Sequence, residues 1–359
     1  RKLEVLRQAY KNMAYEASVY AGPAVVEVFG ENPFEPENSE LNPVLDKKQQ
    51  EAAISYRTMS SQIVNEYIAQ DQCSFTIIAY PVPEIGDRYR DIFRDTVRIN
   101  TLDNDLFRAI HQSMIDELDK AEHVRVVGQG ANVTDMTVMM HEMTDPSKET
   151  NFENCVADVN IPLGEVFTSP VLTGTNGVLE VSSVYIGDIQ FKNLHMEFKD
   201  GRAAEYSCEN FDDPAQGKAL IKQVIMKNHD SLPMGECAIG TNTTAYAMAQ
   251  KFGIIDKLPI LIVEKMGPHF AVGDTCYSWA EDAPMYNPDG KEVIARDNEV
   301  SILRKEDVSQ AYFNCHTDIT IPYRELDEIY GVSLSGEKLP VIRDGRFVVP
   351  GTELLNKEL

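Results

Sequence analysis

Along the first stretch of the chain apolar side chains return every three or four positions, at Leu3, Leu6, Ala9, Met13 and Ala17. That spacing predicts a helix with one buried stripe. Pro33, Pro36 and Pro43 then mark a loop. A helical pattern resumes over residues 46–69, carrying Ala53, Tyr56, Met59, Ile63 and Ile68. Residues 73–80 form a nearly continuous apolar run closed by Pro81-Val82-Pro83. Such a run predicts a strand buried on both faces, and helices alternating with it predict an α/β layer.

A further helix is predicted over 102–121, apolar at Leu106, Ile110, Met114 and Leu118. Beyond it the period shortens. Strands are predicted at 123–127, 133–138, 178–184 and 194–198, joined by Gly and Asn turns such as Gly174-Thr175-Asn176-Gly177. Residues 214–228 read as a helix with Pro214 in its first turn. Later strands are expected at 260–263 and 269–272. The change of texture near residues 95–105 divides the chain into an N-terminal α/β domain, 1–100, and a strand-rich C-terminal domain, 101–359. The fold class is therefore α/β, α+β overall. There is no internal repeat, low-complexity tract or glycine-rich phosphate loop.

Composition narrows the partners. With 57 acidic against 33 basic side chains the net charge is -24. That surface repels phosphate backbones and anionic lipid, which argues against nucleic-acid and membrane partners. No run of about 18 apolar residues is present. The six cysteines include no CxxC pair, so a zinc ribbon is excluded and reduced thiols in a cytoplasmic protein are expected. The opening Arg1-Lys2-Leu3-Glu4 carries no signal-peptide pattern and reads as the continuation of an upstream segment.

Candidate chemistry begins at His316-Thr317-Asp318, inside a β-branched and aromatic stretch, 311–322, that predicts a strand. Successive strand side chains alternate in face, so His316 and Asp318 share one. An imidazole and a carboxylate so placed make half of a metal site. Glu165, Glu236 and His269, each beside strand-like runs, are candidates for the rest. Taken singly, Glu165 reads as a surface or salt-bridged carboxylate and His269 as a hydrogen-bonded core histidine. Together, two Glu, two His and one Asp suit two divalent cations such as Zn, Co, Mn or Mg. Two such ions about 3.5–4 Å apart generate hydroxide and clamp a tetrahedral intermediate. Cys237, Cys276 and Cys315 each adjoin a site residue, and alternation predicts that all three pack away from it. His111, His123, His141, His195 and His229 fit no motif and read as structural or solvated.

These segments resemble the aminopeptidase T and aminopeptidase S family of metallo-aminopeptidases. The resemblance lies in Glu165-Val166-Phe167-Thr168-Ser169-Pro170, Gly235-Glu236-Cys237-Ala238, Glu264 followed five positions on by His269, and His316-Thr317-Asp318, in the family's order. Phe75–Pro81, Thr134–Val138 and Phe198–Arg202 extend it over roughly residues 45–350. It implies metal ligands at Glu165, Glu236, His269, His316 and Asp318, two divalent ions, and proton handling by Glu165 or Glu236. It implies a catalytic tyrosine after the His269 strand, matched by Tyr277, whose phenol would donate to an oxyanion. It further implies release of N-terminal residues from short peptides, a two-domain homodimer, and a first domain whose upstream part lies before Arg1.

Three departures from the family pattern matter. The family steps about seven residues from the histidine to the tyrosine; here the step from His269 to Tyr277 is eight. Its Glu-Asn is Glu264-Lys265 here, a change beside the site. The stretch 279–309 is longer than usual and reads as a tolerated surface insertion, against the alternative of a lid or dimer contact. Two other functions stay in view: another two-metal hydrolase of phosphoesterase type, and an inactive relative kept for binding or assembly.

Overall fold

The computed structural model describes residues 1–37, 45–69, 72–157, 159–277 and 283–359. Helices and strands are mixed in the α/β manner expected, and the sheets are open. No helix among the described residues is long and apolar enough to cross a membrane.

The chain opens with the helix Lys2–Asn12, packed on the helix Lys47–Asn65. Tyr10 stacks on Tyr67 at 5.7 Å between centroids, and Arg7 pairs with Glu66. The second helix starts where a reciprocal cap forms: Asp46 accepts from the Gln49 amide, and the Gln49 side chain accepts from the Asp46 amide. A three-stranded parallel sheet follows, Ala24–Phe29 beside Thr76–Pro81 beside Asn160–Ile161. Its central strand is half-buried at Ile77 and Ile78 and fully buried only at Ala79 and Pro81, not covered on both faces as the apolar run predicted.

An eight-stranded antiparallel sheet forms the largest layer. Its order is Arg202–Ser207, Ile189–Lys199, Val171–Ile186, Asp135–Met139, His123–Gly128, Leu326–Val332, Lys338–Arg343, Arg346–Phe347. The helix Asn104–Leu118 packs between it and the sheet that carries the site, through Phe107, Ile110, Met114, Ile115 and Leu118. Leu106, expected on that stripe, is exposed.

Three expectations are corrected. Residues 260–263 are not a strand but the short helix Ile260–Val263. Four consecutive apolar residues carry no period that separates the two, and the carbonyl of the N-cap Pro259 accepts from the Ile262 and Val263 amides to start the helical turn. The glycines at 174 and 177 do not make a turn; they lie inside the long strand Val171–Ile186, Gly174 at a register shift and Gly177 paired with Met136. Gly177 takes φ 141°, and a Cβ there would meet the Asp135 carbonyl oxygen at 2.1 Å, so glycine serves a close strand approach. The strand expected over 311–322 is only His316–Thr320, because Ala311 ends a helical turn, Val308–Ala311.

Candidate metal centre

A five-stranded antiparallel sheet carries the predicted residues, in the order His316–Thr320, Pro268–Gly273, Met234–Gly240, Glu165–Thr168, Glu153–Cys155. Register decides which side chains meet. Ala271 lies between Glu236 on one neighbour and Asp318 on the other, and His269 pairs with Ala238, itself opposite Phe167. Paired residues share a face and so do residues two apart. Glu165, Glu236, His269, His316 and Asp318 therefore project from one face of four adjacent strands. The alternate residues Val166, Cys237, Ile239, Phe270, Val272 and Ile319 fill the apolar core behind. Ala271 carries only a methyl group where the row passes between two carboxylates, which leaves room there.

The imidazoles are aimed by backbone carbonyls. His316 Nδ1 donates to the Asp274 carbonyl at 2.7 Å, and His269 Nδ1 to the Gly267 carbonyl at 3.2 Å. Each ring thus turns Nε2 toward the carboxylates, the arrangement that fixes a ligating histidine's tautomer. His316 Nε2 lies 3.0 Å from Glu236 and 3.2 Å from Asp318; His269 Nε2 lies 3.4 Å from Glu165 and 3.5 Å from Glu236. Glu165, Glu236, His269 and Asp318 are buried. Burial lowers the pKa of His269, but Glu236, Glu165 and Asp318 outweigh it and hold the ring up at about 10. Against its own burial, Glu236 is held well below the usual carboxylate range by His269 and His316.

The donor set fits a divalent cation. Glu165 Oε2 and Asp318 Oδ1 are buried and accept no hydrogen bond from the described residues, an expensive condition that a positive ion relieves. Glu165, Glu236 and His269 offer ligand atoms within 4.8 Å of one another, and so do Glu236, Cys276 and His316. Glu236 is common to both groups.

Two neighbours were not read as site-facing from sequence. Lys265 was noted only as a departure beside the site. It is 2% exposed, hydrogen-bonds Glu165 and lies 3.0 Å from Glu264. Although burial opposes it, these carboxylates hold its pKa well above the usual lysine value. Glu264 is pushed up to about 8, chiefly by burial, with Asp318 and Glu165 adding and Lys265 opposing. Cys276 was expected to pack away, and this is corrected: it lines the site cavity and its thiol meets Glu236. The strand ends at Gly273, where φ is 118°, so alternation no longer governs the loop beyond. Cys237 and Cys315 do pack into the core. The step of seven from His269 falls on Cys276.

Tyr277 follows, also lining the cavity. Its hydroxyl donates to Glu153, its ring sits 6.2 Å from Phe167, and the Arg296 guanidinium lies 4.6 Å above it. Burial, then the Glu153 carboxylate, raise its pKa well above the usual phenol value.

The long stretch after it is corrected as well. Residues 279–282 lie outside the described residues, but 283–309 are not a loose surface insertion. Val293, Ala295, Asn298 and Val300 are buried. Glu292–Val293 pairs with Glu149–Thr150, Asn298 donates to the Met234 carbonyl, and Glu299 accepts from the Leu172 and Thr173 amides. Polar side chains of this stretch satisfy backbone groups of the neighbouring strands.

Above the site lies a cavity of about 1150 Å³. Its floor is the ligand cluster and its other wall includes Tyr10, Met13, Ala17 and Tyr20 of the N-terminal helices.

The family model described as thermophilic metalloprotease (M29) matches residues 3–347. The chain belongs to this family. It is accordingly a metal-dependent peptidase, and the metallo-aminopeptidase class that the motifs implied stands. Among solved structures, wild-type AmpT from Thermus thermophilus is similar with a TM-score of 0.59 at 17% identity, over 96% of this chain and 80% of that one. The two share a fold. A 2,5-dihydroxypyridine dioxygenase from Pseudomonas putida KT2440 aligns over 98% of each chain at 10% identity and a TM-score of 0.42, too slight to bear on function. No curated protein sequence matches.

Proposed function

We propose that this metallo-aminopeptidase removes N-terminal residues from short peptides at the floor of the 1150 Å³ cavity, with Glu165, Glu236, His269, His316 and Asp318 as the metal-binding set. The observation that carries the reading is the convergence of all five on one face of one sheet, with two buried carboxylate oxygens lacking a hydrogen bond. Two divalent ions, of Zn, Co, Mn or Mg, would supply Lewis-acid polarisation of the scissile carbonyl and an acidified water. The chain's own groups do the rest. The acidic floor draws in the peptide's α-amino end and so places its first carbonyl for attack. Glu165 or Glu236 holds the proton moving from water to the leaving amine. The apolar wall of Phe167, Met13 and Tyr10 takes the side chains and excludes water. Tyr277 reaches an oxyanion only by giving up its bond to Glu153; the Cys276 thiol lies within 4.8 Å of a Glu236 carboxylate oxygen.

The test is hydrolysis of leucyl and other aminoacyl p-nitroanilides after chelation and after return of each metal. Metal-dependent release, lost in Glu236→Gln, supports the reading; release that survives complete chelation sinks it. A cytoplasmic homodimer divided near residue 100 completes the proposal, and light scattering of the purified chain checks the dimer.

A further inference from the structure

Resting on that metal-centre reading, we infer that Asp274 is a positioning residue: it holds His316 in line for the metal and so sets how tightly the centre binds it. His316 is the least secured of the proposed ligands. It opens the strand His316–Thr320, which lies at the end of the site sheet, with a neighbouring strand on one side among the described residues. The first residue of an edge strand frays readily. The His316 side chain keeps 29% exposure, against 9% or less for the other four.

Asp274 meets the chain entering His316 with four hydrogen bonds. Its amide donates to the Cys315 carbonyl at 2.7 Å. Its Oδ1 accepts from the Phe313 amide at 2.7 Å, and its Oδ2 from the Cys315 amide at 3.0 Å. Its carbonyl accepts from His316 Nδ1 at 2.7 Å. Between the two amides Asn314 turns through φ 54°, so both converge on one carboxylate, a small backbone nest for an anion. Hydrogen bonds to an ionised acceptor are stronger than neutral ones. Asp274 is 8% exposed, so water does little to replace them. The residue is itself fixed in place, because Gly235 passes so close that a Cβ there would lie 2.0 Å from the Asp274 carbonyl oxygen. The carboxylate thus holds the turn, and the carbonyl holds the ring. Asp274 acts on the Nδ1 side of the imidazole, away from Nε2, which faces Glu236 at 3.0 Å and Asp318 at 3.2 Å. Without the carboxylate the turn 313–315 loses its anchor, and His316 loses its fixed entry into the strand.

The experiment reads metal affinity and coordination rather than turnover. Full chain stripped of metal is titrated with zinc by calorimetry against a competing chelator, and the cobalt-loaded chain is followed by its visible absorption. Asp274→Leu is expected to bind zinc about 10–100-fold more weakly and to shift the cobalt bands. Asp274→Asn, which keeps one acceptor oxygen, is expected to fall between Asp274→Leu and the wild type. A role confined to folding would lower the melting temperature and leave the zinc affinity and cobalt bands of the folded chain unchanged; that result overturns the proposal. If neither variant folds by circular dichroism, Asn314→Ala decides, since it strains the left-handed turn at an exposed position and leaves the carboxylate in place. Weaker zinc binding by Asn314→Ala supports the proposal, and unchanged binding overturns it. A wild type that binds no zinc overturns the metal centre and the proposal with it, an outcome distinct from variants that bind as the wild type does.

Discussion

Glu236 is the residue on which the site turns. It belongs to both donor groups and pairs with both histidines. Glu236→Gln keeps its shape and removes its charge, so metal affinity and kcat/KM are expected to fall by more than about 100-fold while the circular dichroism spectrum is retained. Equal zinc binding by both proteins would contradict its place as a ligand. His111 illustrates the opposite kind of histidine. It is buried, with Nδ1 3.1 Å from Asn154 and Nε2 2.8 Å from Thr241. Burial lowers its pKa from 6.5 to about 4. Between those values the unfolded chain binds a proton that the folded one refuses, so stability falls as pH drops from 6.5 toward 4. His111→Gln is expected to melt lower at pH 7 yet to lose less on acidification, as thermal melts at a series of pH values will show. From sequence His111 and His269 were alike as lone histidines; only the motif around His269 separated them, and no local signal turned Lys265 inward.

Strand alternation made the centre legible at the scale of elements. Alternation puts His316 and Asp318 on one face; that Glu165, Glu236 and His269 join them is set by the register across the sheet, which no single stretch of sequence shows. The same rule failed one residue past the strand, at Cys276, because it holds only while the backbone stays extended. It had nothing to say at residues 260–263, where the run is too short to show a period. Two close packings on the sheet are open to test. Ala271 is fully buried between Glu236 and Asp318; Ala271→Leu is expected to cost about 1–3 kcal/mol in denaturant melts through overpacking and to abolish zinc binding. Gly240 lies against the turn that presents Lys265, and a Cβ there would meet the Glu264 carbonyl oxygen at 2.5 Å. Gly240→Ala should therefore shift Glu264 and Lys265 and weaken metal binding, read by calorimetry; unchanged binding would show that the turn gives way without moving them.

For the whole molecule, the sequence foretold the mixed fold and an acidic surface but not which residues line the cavity. Residues far apart in the chain build it: Tyr10 and Met13, Phe75, Glu153, His269 and Met285 line one space. Helical period told which face of the first helix is apolar, not that part of this face lines a cavity over a metal site. A space of about 1150 Å³ takes a few residues of peptide, so kcat/KM across a series from dipeptides to decapeptides is expected to fall at the longer lengths. A flat profile would mean that the N-terminal helices move aside. The most direct test of the account is anomalous diffraction from crystals soaked in zinc. The account predicts a peak held among Glu165, Glu236, His269, His316 and Asp318; no peak among these five residues, with zinc bound elsewhere on the chain, would contradict it.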